Sequence, residues 1–254
     1  MKTAANIKSG ARFHVPDHLG PGAEVSLPPV AAHHAIRVLR LEPNDPLVVF
    51  DGTGGEYDAT ITHAGKNDVR VKTGRFRAEG PESPLRVTLV QGVSSGERMD
   101  FTIRKAVELG VARLIPVLSE RSVVKLGGDR VDRRRAHWQG VAVSACEQCG
   151  RNLVPSVDEP VPFTHWLAAL GRPGSPDESR LMLAVGGAVR VRDLPPPGAG
   201  VLLLAGPEGG LSPVESELAL DRGFLSVRLG PRVLRTETAA IAALAAMQTL
   251  WGDF

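Results

Sequence analysis

The sequence predicts a two-part α/β protein: a small N-terminal β-barrel followed by a parallel sheet covered by helices. Three observations carry that expectation. The first third holds short apolar or alternating runs punctuated by Gly, Asn and Pro, with one helical stretch among them. From residue 85 onward strand-like and helix-like runs alternate, the rhythm of a parallel sheet with helical crossovers. Between the two, "RAEGPESPL" (77–85) fits neither rhythm, so the boundary is placed there, with domains over 1–78 and 83–254.

Taken in order, "ARFHV" (11–15), "PLVVFDG" (46–52), "EYDATITHAG" (56–65) and "DVRVKTGRF" (68–76) read as strands, and "AAHHAIRVLR" (31–40) as a helix. Short strands joined by tight turns favour a barrel. Beyond the boundary, "LRVTLVQGV" (85–93) is a strand and "ERMDFTIRKAVELG" (97–110) a helix that Gly110 is placed to stop. "ARLIPVL" (112–118) is a strand and "DRRRAHWQGVAVSACEQC" (132–149) a helix. After a proline-rich stretch, "RLMLAV" (180–185) and "VLLLAG" (201–206) are apolar enough for interior strands. "FLSVRLG" (224–230) follows, and an alanine-dense helix runs from about Thr236 to Leu250. That helix is apolar nearly all round, which predicts burial in the domain or at a subunit interface.

Bulk composition excludes several classes. Charged residues at 23% and hydrophobic residues at 43% are ordinary for a globular protein. Aromatics at 4% against 28 Gly and 20 Pro favour tight turns over a large aromatic core. Two cysteines, Cys146 and Cys149, are too few for a disulfide framework. One Cys-x-x-Cys without a second pair is a poor zinc site, so no metal is expected. No signal peptide and no apolar run of bilayer length stands out, which predicts a cytoplasmic protein without a membrane partner. A net charge of +2 announces no nucleic-acid partner by itself. The charge is uneven, however: residues 97–135 carry ten Lys/Arg against six Asp/Glu, either a polyanion-binding patch or a solvated helix face.

Two loops concentrate the chemistry. "LLLAGPEGGLSPVESELA" (202–219) runs from a buried strand through three glycines into a well-signalled helix start. Ser212 can cap, Pro213 suits the first helical position, and Glu215 can reach back to close a capping box. Gly223 then stands where that helix should stop. Glycines in such a loop permit positive φ or let the backbone approach a ligand closely. The second loop lies in "RLGPRVLRTETAAIAALAAMQTL" (228–250), where Thr236 can cap and Glu237 lies in the first turn of the helix. Neither Gly-Lys-Ser/Thr nor Gly-x-Gly-x-x-Gly is present, which makes a nucleotide- or dinucleotide-binding enzyme a weak reading. Ligands in parallel sheets sit beyond the carboxyl ends of the strands, where both loops fall.

"ERMDFTIRKAVELGVARLIPVLSERSV", "SACEQCGRNLVP", "LLAGPEGGLSPVE" and "LGPRVLRTETAAIAAL" together resemble the RsmE-type ribosomal RNA methyltransferases of the SPOUT class. "ARFHV" and "HAIRVLR" resemble that family's N-terminal PUA-like domain, so the resemblance covers the whole chain. It implies a PUA-like β-barrel followed by a SPOUT α/β domain with a C-terminal trefoil knot. It implies methyl transfer from S-adenosyl-L-methionine to N3 of a uridine in 16S ribosomal RNA of the small subunit, by a homodimer. Carried onto this chain, cofactor contacts fall on Leu204, Ala205, Gly206, Pro207, Glu208, Gly209 and Gly210, and on Leu229, Gly230, Pro231, Val233 and Leu234. "AVGGA" (184–188) would form the third wall.

Arg235 is the expected stabiliser of charge on the uracil, and Glu237 either the base or a first-turn helix carboxylate. RNA contacts are expected from Arg12, Arg37, Arg40, Arg121 and Arg151, with Glu147 and Gln148 near the RNA or the active site. His33, His34, His137 and His165 are unclustered and read as structural or surface residues. Rival readings are a SPOUT methyltransferase acting on another ribosomal or transfer RNA nucleotide, and a non-catalytic RNA-binding assembly factor.

Overall fold

The computed structural model describes residues 11–65, 68–124, 128–171 and 178–254. The chain forms two compact units: residues up to Glu82 together with Cys146–Val154, and Ser83–Ala145 together with Pro155–Phe254.

The first unit contains β1 (Arg12–His14), β2 (Glu24–Ser26), α1 (Pro29–His33), β3 (Pro46–Phe50), β4 (Glu56–Ala64) and β5 (Val69–Arg77). Its sheet order is β1-β3-β4-β5-β2, with β1 parallel to β3 and the other pairs antiparallel. The sheet is a curled half-barrel, with β1 and β2 as three-residue edges rather than paired to close it. Register shifts between Tyr57 and Ala59 and between Ile61 and His63 supply local twist where β4 meets β5. Phe13, Val49, Ile61, Val69 and Val71 face inward and form its core.

α1 starts with Pro29 at a first-turn position and continues as a π-helical turn, His34–Val38. Arg40, at φ 52, ends it in the left-handed region. Arg37, Val38, Leu39 and Arg40 are all exposed there.

Residues 146–154 are tied into this unit by charge and backbone bonds. The Arg12 guanidinium pairs with Glu56, lies over the Phe50 ring at 4.9 Å, and donates to Asn152 Oδ1 at 2.8 Å and Arg151 O at 3.3 Å. The Glu82 carboxylate accepts from Arg151 Nε and from the backbone N–H groups of Asn152 and Leu153, at 2.9, 2.9 and 3.0 Å. Val154 N donates to Gly52 O at 3.1 Å.

The second unit contains β6 (Val87–Gly92), α2 (Glu97–Glu108), β7 (Arg113–Leu118), α3 (Asp129–Cys149), β8 (Ser156–Val157), β9 (Val161–Pro162) and α4 (Phe163–Ala169). It continues with β10 (Ser179–Leu183), β11 (Val189–Arg190), β12 (Val201–Ala205), α5 (Pro213–Asp221), β13 (Leu225–Arg228) and α6 (Thr236–Trp251). The sheet order is β11-β13-β10-β12-β6-β7-β8, with β9 also on β7, and every pair is parallel.

Such a sheet needs cover on both faces, which explains why β12 is five consecutive buried residues rather than an alternating strand. Val90, Met182, Leu202 and Leu204 pack with Phe163 and Leu167 of α4 and Ala219 of α5. α6 packs against β12 and against α2. Gly110 and Gly223, at φ 80 and 82, follow the last turns of α2 and α5, as their positions in the sequence predict. No helix among the described residues is long and apolar enough to cross a membrane.

Candidate active site

β13, β10 and β12 are neighbours, and the loops leaving their carboxyl ends enclose a cavity of about 300 Å³. Leu183, Ala184 and Val185 form one wall, Ala205–Leu211 the second, and Leu229, Gly230 and Arg232–Leu234 the third. Thr236 and Ala239, at the start of α6, complete the lining. That volume and this mainly apolar lining fit a small-molecule site at the end of a parallel sheet.

The second wall is fixed at every step. Pro207–Gly210 is a turn closed by Gly210 N donating to Pro207 O at 2.9 Å, with Gly210 at φ 67. A Cβ on Gly206 would stand 3.0 Å from the Gly210 and Leu211 backbone, so there glycine serves the loop's own closure. Glu208 Oε1 accepts from Ser95 N, Ser95 Oγ and Arg98 Nη1 at 2.9, 2.9 and 3.0 Å. Burial pushes the Glu208 carboxyl up, but the bonds from Ser95 and Arg98 outweigh it and hold the group below the usual glutamate range.

Beyond the turn, the capping box is complete. Glu215 N donates to Ser212 Oγ at 3.2 Å, and Ser212 N donates to Glu215 Oε2 at 2.9 Å. Glu215 Oε1 also accepts from Glu120 N at 2.8 Å, tying α5 to the loop after β7.

Of the expected cofactor residues, Ala205, Gly206, Pro207, Glu208, Gly209, Gly210, Leu229, Gly230, Val233 and Leu234 line the cavity. Leu204 lies one residue back in β12, fully buried in the core. Pro231 lines a neighbouring cavity of about 740 Å³ with Arg190, Arg192, Arg228 and the end of α6. Arg235 is exposed at the N-cap of α6 and Glu237 lies in its first turn, one residue either side of the cavity-lining Thr236. Glu237 Oε2 is buried and has no hydrogen-bond partner among the described residues.

Thr236 does not cap the helix, as its position suggests; Arg235 occupies the cap, and the Thr236 hydroxyl donates to Gly206 O at 2.6 Å. Thr236 is a lining residue that local sequence reasoning does not select, since it reads there as a helix cap.

The expected RNA-contacting residues divide into two groups. Arg37, Arg40 and Gln148 are exposed. Arg121 is exposed as well and donates from Nη1 to Gly209 O at 3.1 Å, on the outer side of the second wall. Arg12 and Arg151, by contrast, are engaged in the ion pairs that fasten residues 146–154, so their first role is structural. Glu147 accepts from His14 N at 3.0 Å, and burial raises its carboxyl above the ordinary range. Cys146 is buried, and burial pushes its thiol to about 12, which removes it from thiolate chemistry.

The fold and this site define an RNA methyltransferase. The family model for an RNA methyltransferase domain matches residues 81–248, and one for an RNA methyltransferase PUA domain matches 31–73; the chain belongs to the RNA methyltransferase family. It is 31% identical over 252 residues to the ribosomal RNA small subunit methyltransferase E of Buchnera aphidicola subsp. Acyrthosiphon pisum, covering 99% of this chain and 98% of that protein.

Among solved structures, ribosomal RNA small subunit methyltransferase E from Neisseria gonorrhoeae, bound to S-adenosyl methionine, is 41% identical. It superposes with a TM-score of 0.88, covering 96% of this chain and 99% of that one. A methyltransferase from Legionella pneumophila, in complex with the bound cofactor SAM, is 37% identical with a TM-score of 0.90 over 96% and 99% of the two chains.

Proposed function

We propose that this chain methylates N3 of a uridine in 16S ribosomal RNA, using S-adenosyl-L-methionine held in the cavity at the ends of β13, β10 and β12. The carrying observation is that cavity, built from backbone-rich loops in a chain 41% identical to a methyltransferase crystallised with this cofactor. The residues suit such a ligand. Ala184, Val185, Leu229 and Leu234 offer apolar surface to an adenine, and the Cβ positions of Gly210 and Gly230 open onto free space. The bound cofactor supplies an activated methyl group on a sulfonium.

The chain's own work is then orientation and charge. Holding two reactants in line contributes on the order of 7–11 kcal/mol to a barrier. Glu237, whose buried Oε2 has no partner among the described residues, is the acceptor for the uracil N3 proton, a role that adds roughly 10²–10⁴-fold. Arg235, exposed beside the cavity lining, stabilises the negative charge that develops on the uracil oxygens.

Residues 1–78 are proposed as the PUA-like RNA-binding domain and residues 83–254 as the SPOUT domain, of which 146–154 group with the first unit. Exposed Arg37 and Arg40 in the former and Arg121 in the latter supply phosphate contacts. A trefoil knot near the C-terminus fits the chain path: β12 inserts between β10 and β6, and β13 between β10 and β11. A homodimer is supported by apolar residues left uncovered beside the cavities, with Val233 77% and Val185 60% exposed, and by Leu250 on α6. The small subunit in the cytoplasm is the expected setting.

The test is Arg235→Ala. Methyl transfer to small-subunit RNA should be lost, while calorimetry should show cofactor affinity close to that of the parent. Full activity in that variant removes Arg235 from the mechanism.

A further inference from the structure

β6 contributes no residue to the cavity lining, yet its last two residues shape the cavity wall. Gln91 sits in register with Ala205 of β12 and is 1% exposed, a fully buried polar side chain next to the apolar Leu89 and Val90 in β6. A buried amide is unfavourable unless its hydrogen bonds are made. Its Nε2, with two hydrogens, lies within donating distance of three acceptors, Gly92 O at 3.0 Å, Thr236 Oγ1 at 3.1 Å and Gly206 O at 3.2 Å, while Oε1 has no partner among the described residues. Thr236 Oγ1 donates in turn to Gly206 O at 2.6 Å, which turns its lone pairs toward Gln91.

The Gly206 carbonyl therefore receives two donors from two different elements, and the plane of the Gly206–Pro207 peptide is fixed. Gly92 closes the same joint from the other side: a Cβ there would stand 2.5 Å from Pro207 N and Cδ. The turn at Pro207–Gly210 hangs from this peptide.

We propose that Gln91 is a positioning residue for the cofactor, acting through Thr236 and the Gly206 carbonyl to hold the Gly206–Gly210 wall in its binding shape before the ligand arrives. This rests on the cofactor reading given above. It accounts for a polar side chain in a core strand, for the small residue that follows it, and for a threonine hydroxyl that turns away from capping its own helix. The energetic logic is preorganisation: a wall ordered in advance loses less freedom on binding.

The experiment uses the full chain and two readouts. Gln91→Met keeps the length of the side chain and removes the amide; Thr236→Val and Thr236→Ser remove and retain the hydroxyl. In the protein without cofactor, amide hydrogen exchange over 208–211 should speed up roughly tenfold in Gln91→Met and Thr236→Val, with exchange in α2 unchanged. S-adenosyl-L-methionine titrated by calorimetry should bind roughly tenfold more weakly to both, and Thr236→Ser should stay within about twofold of the parent. The double variant Gln91→Met/Thr236→Val should lose less than the product of the single effects, because both act on one carbonyl.

Exchange and affinity within twofold of the parent in Gln91→Met would overturn the inference, as would Thr236→Ser behaving like Thr236→Val. A parent that binds no S-adenosyl-L-methionine, while Gln91→Met still accelerates exchange, overturns the cofactor reading and leaves the clamp on the loop standing.

Discussion

Replacing Glu215 with alanine removes one carboxylate that holds two loops. The side chain is buried, with Oε2 on Ser212 N at 2.9 Å and Oε1 on Glu120 N at 2.8 Å. Hydrogen bonds to a charged group contribute about 1.5–3 kcal/mol each. The Ser212 N–H is buried and would be left without an acceptor, so it belongs at the upper part of that range. Glu120 is an exposed residue whose N–H regains water, so it belongs at the lower end. The expected loss is about 4 kcal/mol, with loss of the favourable carboxylate at the helix N-terminus included.

Ser212→Ala is the internal reference, because it removes one neutral cap bond and leaves both carboxylate bonds in place. Its expected loss is about 1 kcal/mol. Denaturant unfolding followed by intrinsic fluorescence reads the right region, since Trp138, Trp166 and Trp251 all lie in the second unit. Equal losses in the two variants would refute the reasoning, and so would a Glu215→Ala loss below about 1.5 kcal/mol.

Two further outcomes follow from the same contacts. Glu208 titrates below its ordinary value near 4.5, so its contribution to the loop is complete above that pH and is lost as pH falls through the lower folded value. Glu208→Gln should therefore flatten the acid limb of a stability profile measured from pH 6 downward; an unchanged limb counts against it. Arg12→Ala should destabilise the first unit by about 2 kcal/mol, below the 3–5 kcal/mol typical of a broken buried pair. The reduction follows from Glu56 retaining Arg77 at 2.6 Å. Hydrogen exchange in β3 and β4 measures it, and protection equal to the parent's would show that Arg12 is free for RNA after all.

Local signals in the chain announce those features whose cause is local. The capping box of Ser212 and Glu215 and the stops at Gly110 and Gly223 depend on residues a few positions apart, and each stands where the sequence places it. Apolar runs at 201–206 and 180–185 reveal interior strands because burial on both faces leaves no room for alternation. What periodicity does not carry is the choice of distant partners. β2 is three residues long and pairs with β5 across more than forty residues of chain, so no local pattern marks it.

The attachment of residues 146–154 to the first unit rests on Arg12 and Glu82, both remote in sequence, and an arginine reads alike whether it meets a carboxylate or a phosphate. Thr236 is a local signal misdirected: its hydroxyl suits a cap, but the Gly206 carbonyl, thirty residues away, takes it. Gln91 is invisible for the same reason, as a polar residue in a mainly apolar strand with partners on other elements.

The most direct test of the proposed activity is methyl transfer from labelled S-adenosyl-L-methionine to undermethylated small ribosomal subunits, read by nucleoside mass spectrometry. Gly209→Val runs alongside, because even a Cβ at that position would come within 3.0 Å of Arg121 Cβ and disturb the cavity wall. Label is expected in 3-methyluridine with the parent and not with the variant. Label in a different nucleoside, or no label from a parent that binds the cofactor, would contradict the proposed activity.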